Sequence, residues 1–132
     1  MSPPPRSFHA QYQTEIAVLM RRLLKNGRSI VECPIETSEG VKAADVVWVS
    51  EERRKSRPND PAFLIAPEIC VEVESPSNSA GEFMERQRLF FERGAQEFWI
   101  CGILGDMTFC DPSGQIPQSN LCRDFPKKLS LD

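Results

Sequence analysis

The thirteen residues from Pro67 to Ser79 constrain this chain more than any other stretch. Two prolines, Pro67 and Pro76, bracket the short apolar run Glu68 to Glu74, which has the length and composition of a strand. Ser77-Asn78-Ser79 then supplies helix-capping chemistry. A helix is expected from about Ala80 to Arg93, ended by Gly94, and Glu97 to Ile103 follows as another strand. A strand–helix–strand unit of this kind suits parallel pairing within one sheet. The unusual residue is Glu72. It lies inside the apolar run, where a carboxylate is costly unless it is paired, hydrogen-bonded or bound to a cation.

The other segments add a second helix and more strands. From His9 to Lys25 the residues Tyr12, Ile16, Leu19 and Leu23 follow helical spacing, with Met20 and Leu24 beside them, and Asn26-Gly27 reads as a stop. Ser29 to Ile35 suits a strand, Thr37-Ser38-Glu39-Gly40 is turn chemistry, and Ala43 to Val49 is a β-branched, aromatic-rich strand. Glu51 to Pro61 is polar and charged and carries two prolines, so a solvated loop is expected there. Met107 to Cys110 forms a last strand beyond the Leu104-Gly105-Asp106 turn; after Asp111-Pro112-Ser113-Gly114 the pattern fades. Three segments follow: a flexible Pro-rich N-terminus (1–8), a domain (9–114) and an irregular tail (115–132). The class is α/β, a sheet with helices on its faces, partly parallel across the strand–helix–strand unit.

A chain of 132 residues suits a single core. Its net charge of −3 argues mildly against a dedicated duplex-DNA binder, although a local basic patch around an acidic centre remains compatible with nucleic acid. Met1 to Arg6 holds no apolar signal segment, and no apolar run approaches the roughly 20 residues that cross a bilayer, so no membrane partner is expected. The cysteines, Cys33, Cys70, Cys101, Cys110 and Cys122, form no Cys-x-x-Cys pair, and His9 is far from them in sequence. That argues against zinc and for reduced, buried thiols in a cytoplasmic protein.

Asp45 opens the strand Asp45-Val46-Val47-Trp48-Val49. If that strand neighbours the one carrying Glu72, two hard oxygen ligands converge, as Mg²⁺ or Mn²⁺ requires. Glu74 shares the facing of Glu72 by the two-residue repeat of a strand. The alternatives are structural: Asp45 capping a strand start or pairing with Lys42, and Glu72 on an exposed edge.

Pro67-Glu68-Ile69-Cys70-Val71-Glu72-Val73-Glu74-Ser75-Pro76-Ser77-Asn78-Ser79 resembles a signature of the Uma-two family, within the PD-(D/E)XK nuclease superfamily. Ala44-Asp45-Val46-Val47-Trp48 is similar to the family's Pro-Asp-Val-Val element, with Ala44 in the proline's place. Leu89-Phe90-Phe91-Glu92-Arg93-Gly94-Ala95-Gln96-Glu97-Phe98-Trp99-Ile100 resembles its helix–Gly–strand element. The resemblance spans residues 9–114 and implies a restriction-endonuclease-like αβββαβ core with a mixed sheet flanked by helices. It implies Asp45 and Glu72 as metal ligands, with the backbone carbonyl of Val73 helping to hold a Mg²⁺ or Mn²⁺ ion. Two departures stand out. Glu74 occupies the place of the motif lysine, and the helix position where the family carries lysine is Arg86, with Phe90 in place of the helix's tyrosine.

The expected activity is a metal-dependent endonuclease hydrolysing DNA, in a homodimer whose two sites face two strands. The catalytic set is Asp45, Glu72 and Arg86, with Arg86 stabilising phosphate charge; arginine cannot readily give up a proton, so it is no base. A simple Glu82–Arg86 helix pair is the structural alternative, and Glu15 and Gln87 are further candidates near the acids. The rival function is a nuclease fold kept as a catalytically inactive nucleic-acid-binding or protein-interaction domain. The runs Arg21-Arg22, Arg53-Arg54-Lys55-Ser56-Arg57 and Lys127-Lys128 read as solvated surface, the middle one being a candidate clamp on a DNA backbone. Trp48 and Trp99 are expected in the core.

Overall fold

A computed structural model describes residues 5–56 and 58–132. The flexible N-terminus expected over 1–8 lies outside the described residues as far as Pro4, as does Arg57 of the middle basic run. The elements are α1 (Pro5–Leu23), β1 (Gly27–Thr37), β2 (Gly40–Ser50), α2 (Glu51–Ser56), β3 (Ile69–Val73), α3 (Ala80–Glu92), β4 (Glu97–Cys101), β5 (Met107–Asp111) and β6 (Gly114–Ile116). The described strands make one six-stranded sheet in sequence order, β1 to β6. Only the β3–β4 pair is parallel, and α3 is its crossover; every other pair is antiparallel. The αβββαβ core is therefore α1, β1, β2, β3, α3 and β4, in a mixed sheet with helices on both faces.

The two longer helices, α1 and α3, each bury an apolar stripe on opposite faces of the sheet. Tyr12, Ile16 and Met20 of α1, four residues apart, join Val46, Trp48, Val71, Val73 and Trp99 in one core. On the other face Phe90 of α3 packs with Cys33, Val47, Cys70 and Phe98. Ser79 caps α3 by accepting the Glu82 N–H at 3.2 Å, and Gly94, at φ +99°, takes the left-handed turn that ends it. All five cysteines are free and buried, and both tryptophans lie in the core.

Two segments depart from expectation, and the tail adds to the core. Glu51 to Ser56, expected within a solvated loop, is the short helix α2. Ser50 Oγ accepts the Arg53 N–H at 3.2 Å, with acids in its first turn and bases in its last. It buries no residue, so it carries no apolar period to read. The Asp111 turn leads into an extra strand, β6, because Asp111 Oδ1 accepts the Ser113 N–H at 2.9 Å and closes a tight hairpin. Beyond Ile116 the described chain forms no named helix or strand, yet Cys122, Phe125 and Leu129 are buried in the core of α1. Glu97, only 2% exposed, holds this tail. It accepts from Trp99 Nε1 (2.9 Å), Ser119 Oγ (2.6 Å), the Asn120 N–H (2.9 Å) and the Leu121 N–H (3.1 Å).

Candidate active site

The two acids meet where β2 and β3 part. The β2–β3 ladder runs from Trp48↔Ile69 to Val46↔Val71 and stops one pair short of Asp45 and Glu72. In place of further ladder bonds, side chains bridge the fork. The Asp45 N–H donates to Glu72 Oε2 at 2.9 Å, and the Val73 N–H donates to Asp45 Oδ2 at 2.7 Å. Both carboxylates thus sit at the open end of β3.

A break on the other side of β2 aims Asp45 there. Paired residues run Val31↔Val46 and then Cys33↔Ala44, leaving Glu32 and Asp45 outside the ladder. Ala44 and Val46, two residues apart, would share a face in a regular strand, yet Ala44 packs on the α3 side and Val46 on the α1 side. Glu32 takes φ +50°, a left-handed conformation that is strained for a side chain with a Cβ. Irregularities of this kind re-aim side chains beside functional sites.

An imidazole, a guanidinium and an amide complete the cluster. His9 Nε2 lies 3.2 Å from Asp45 Oδ2. Arg86 Nε lies 3.2 Å from Glu72 Oε1, and its Nη1 donates to the Ala43 carbonyl at 2.8 Å. Gln13 Nε2 donates to the Asp45 carbonyl at 3.0 Å and to Glu32 Oε1 at 2.8 Å. Burial, and then repulsion from Asp45, pushes the Glu72 carboxyl up to about 8 against the pull of Arg86. Burial raises Asp45 as well, opposed by the Val73 N–H and by His9. Burial and mutual repulsion therefore oppose ionisation of both acids together, and Arg86 and His9 offset this only in part.

The structure brings Asp45, Glu72, Val73 and Arg86 together and separates other candidates. The Asp45–Lys42 and Glu82–Arg86 alternatives give way to Asp45–His9 and Glu72–Arg86, and Glu82 instead accepts from Asn78 Nδ2 at 3.1 Å. Glu74 turns to the Ile103 N–H at 3.2 Å. Glu15 lines a groove with Thr14 and Ser130, so His9 and Gln13 are the α1 residues that reach the fork. Sequence reasoning missed His9, Gln13 and Glu32. His9 and Gln13 are four residues apart on one helix face, a signal that is readable only when that face is known to meet β2. Among the described residues no three His, Cys, Asp or Glu side chains form a group that could hold a metal ion.

The middle basic run is mostly committed to the fold. Arg53 Nη1 donates to the Ala66 carbonyl (2.6 Å) and the Gly94 carbonyl (2.9 Å), and Arg54 pairs with Glu51 at 2.8 Å. Lys55, more exposed, approaches Glu51 at 3.6 Å.

The chain is thus an α/β protein whose mixed sheet forks around one buried carboxylate, Glu72, and one half-buried carboxylate, Asp45. The family described as "Putative restriction endonuclease", Uma2, matches residues 1–106, and the chain belongs to that family. A crystal structure described as a "putative nuclease belonging to DUF820", from Anabaena variabilis, shares the fold with a TM-score of 0.76 at 18% identity. The similarity covers 99% of this chain and 80% of that one. No curated protein matches the sequence. No helix among the described residues is long and apolar enough to cross a membrane.

Proposed function

We propose that this chain hydrolyses DNA phosphodiester bonds using a divalent cation held by Asp45 and Glu72. The observation that carries the reading is the fork itself: two carboxylates joined through one backbone N–H, with the Glu72 side chain 6% exposed. Such a pair suits a hard cation, and Mg²⁺ commonly binds through one or two carboxylates while keeping several waters. Asp45 and Glu72 would supply the protein oxygens, with the Val73 carbonyl as a third. The ion supplies Lewis acidity, making water more acidic and offsetting charge on the phosphate.

The chain's own residues account for the remaining tasks. The Val73 N–H and His9 hold Asp45 Oδ2, and the Asp45 N–H holds Glu72, so both carboxylates are pre-set. Arg86 presents a permanent positive charge that can clamp phosphate oxygens as negative charge builds. Lys42 lines the groove beside Arg86 with Ser79 and Gly81 and offers a second contact for a phosphate backbone. In hydrolysis the water oxygen bonds to phosphorus, the bond from phosphorus to the leaving sugar oxygen breaks, and that oxygen takes up a proton. A symmetric dimer would present two such sites to two strands.

Supercoiled plasmid with Mg²⁺ or Mn²⁺ tests this. The native chain nicks or linearises it, and Glu72→Gln and Asp45→Asn lower the rate about a hundredfold or more. Plasmid left intact by the native chain, or cleaved equally by Glu72→Gln, overturns the assignment. One observation favours a second reading, a nuclease fold kept as a binding domain: Glu72 Oε1 and Oε2 and Asp45 Oδ2 each already have a partner within the protein. Retention of DNA without cleavage would establish that reading.

A further inference from the structure

We propose that Arg86 is an internal counter-ion of Glu72 that a divalent cation must draw aside, so that Arg86 limits how tightly the fork takes metal. The inference rests on Asp45 and Glu72 being the metal ligands. Glu72 has two oxygens with different kinds of partner. Oε2 accepts the Asp45 main-chain N–H at 2.9 Å, a bond that ties this oxygen to the backbone of β2. Oε1 faces the side chain of Arg86, whose Nε is 3.2 Å away. An ion that ligates Glu72 through Oε1, the oxygen without a backbone partner, shares that oxygen with Arg86 or takes it.

Sharing is opposed by charge. A guanidinium keeps its positive charge at any ordinary pH, and beside a divalent cation on one buried carboxylate it is repelled in a medium that screens poorly. Arg86 also has somewhere to go. Its side chain is 33% exposed, and its Nη1 bond to the Ala43 carbonyl tethers it two residues from Asp45. Released from Glu72 but held at Ala43, the head stays at the mouth of the fork beside Lys42, where a substrate phosphate would arrive. Arg86 thus has two stations, carboxylate and phosphate, and metal entry moves it from one to the other.

Calorimetric titration of the full chain with Mn²⁺ alone reads this without any nuclease assay. Arg86→Gln, which keeps length and loses charge, and Arg86→Ala should each bind Mn²⁺ about tenfold tighter than the native chain. Glu72→Gln should lose binding. Unchanged or weaker binding in both Arg86 variants, with native binding intact, overturns the counter-ion role and leaves the metal site standing. Native-level binding by Glu72→Gln instead overturns the site and the inference with it. Because a variant can fail to fold, the native chain supplies a second measurement. On Mg²⁺ addition the Arg86 Nε–Hε resonance should shift in step with binding, and a stationary resonance at saturating Mg²⁺ overturns the displacement.

Discussion

Glu97→Gln should unpin the C-terminal tail while leaving the volume of the core unchanged. Glu97 receives four donors, two on each oxygen: Trp99 Nε1 and Ser119 Oγ on Oε1, and the Asn120 and Leu121 N–H groups on Oε2. A glutamine amide has one acceptor oxygen, so whichever way it sits, its NH₂ group faces two former donors. Ser119 can rotate its hydroxyl to accept, which leaves at least one buried donor without a partner. Hydrogen bonds to a charged group contribute about 1.5–3 kcal/mol each, and an orphaned buried donor costs about 1–3 kcal/mol. Two weakened bonds and one orphan come to about 3–5 kcal/mol. For a domain of this size that lowers the melting temperature by about 10–20 °C. A local assay separates tail release from general loosening. The Cys122 thiol is buried, and burial pushes it up to about 11, so it should resist a thiol reagent in the native chain and react in the variant. Cys70, wholly buried between the sheet and α3, should stay protected in both. A melting temperature within about 2 °C of native, with Cys122 still protected, refutes the reasoning.

Two further outcomes follow from the same geometry. Glu72, raised by burial and by Asp45 to about 8 from an ordinary 4.5, favours the folded state most when protonated. Its stabilisation is full below about pH 4.5 and is lost as pH rises through 8, by at most about 5 kcal/mol over that window. Denaturant titrations in EDTA should show this slope flattened in Glu72→Gln, and an unchanged profile would contradict it. Arg53→Met should cost about 2–3 kcal/mol, because the Ala66 and Gly94 carbonyls lose their donor and Glu68 loses its 3.5 Å partner. Arg53→Lys should restore little of that, since a point charge cannot span two carbonyls; full stability in either variant would return Arg53 to the solvated surface.

The elements that carry their own period are legible in the order of residues alone. Pro67 and Pro76 delimit the Glu72 strand, Ser79 and Gly94 bound the helix after it, and that unit forces a parallel pair. Asp45 and Glu72 are visible because a carboxylate in an apolar strand needs an explanation, and the motif resemblance offers one. Arg86 is visible as a departure from that motif; its partner is not, since helical spacing offers Glu82 as readily as the fork offers Glu72. The remaining features depend on contacts between distant segments or on breaks in the period. The irregularity at Glu32 and Asp45 inverts a two-residue alternation that sequence reading takes as regular. His9 and Gln13 become site residues only when α1 lies across β2, and the unpatterned tail becomes core because Glu97, a buried acid more than twenty residues earlier, collects its donors. Local propensity and spacing are properties of neighbours along the chain. Charge pairing and burial are properties of neighbours in space, and they emerge only once the sheet has brought those segments together.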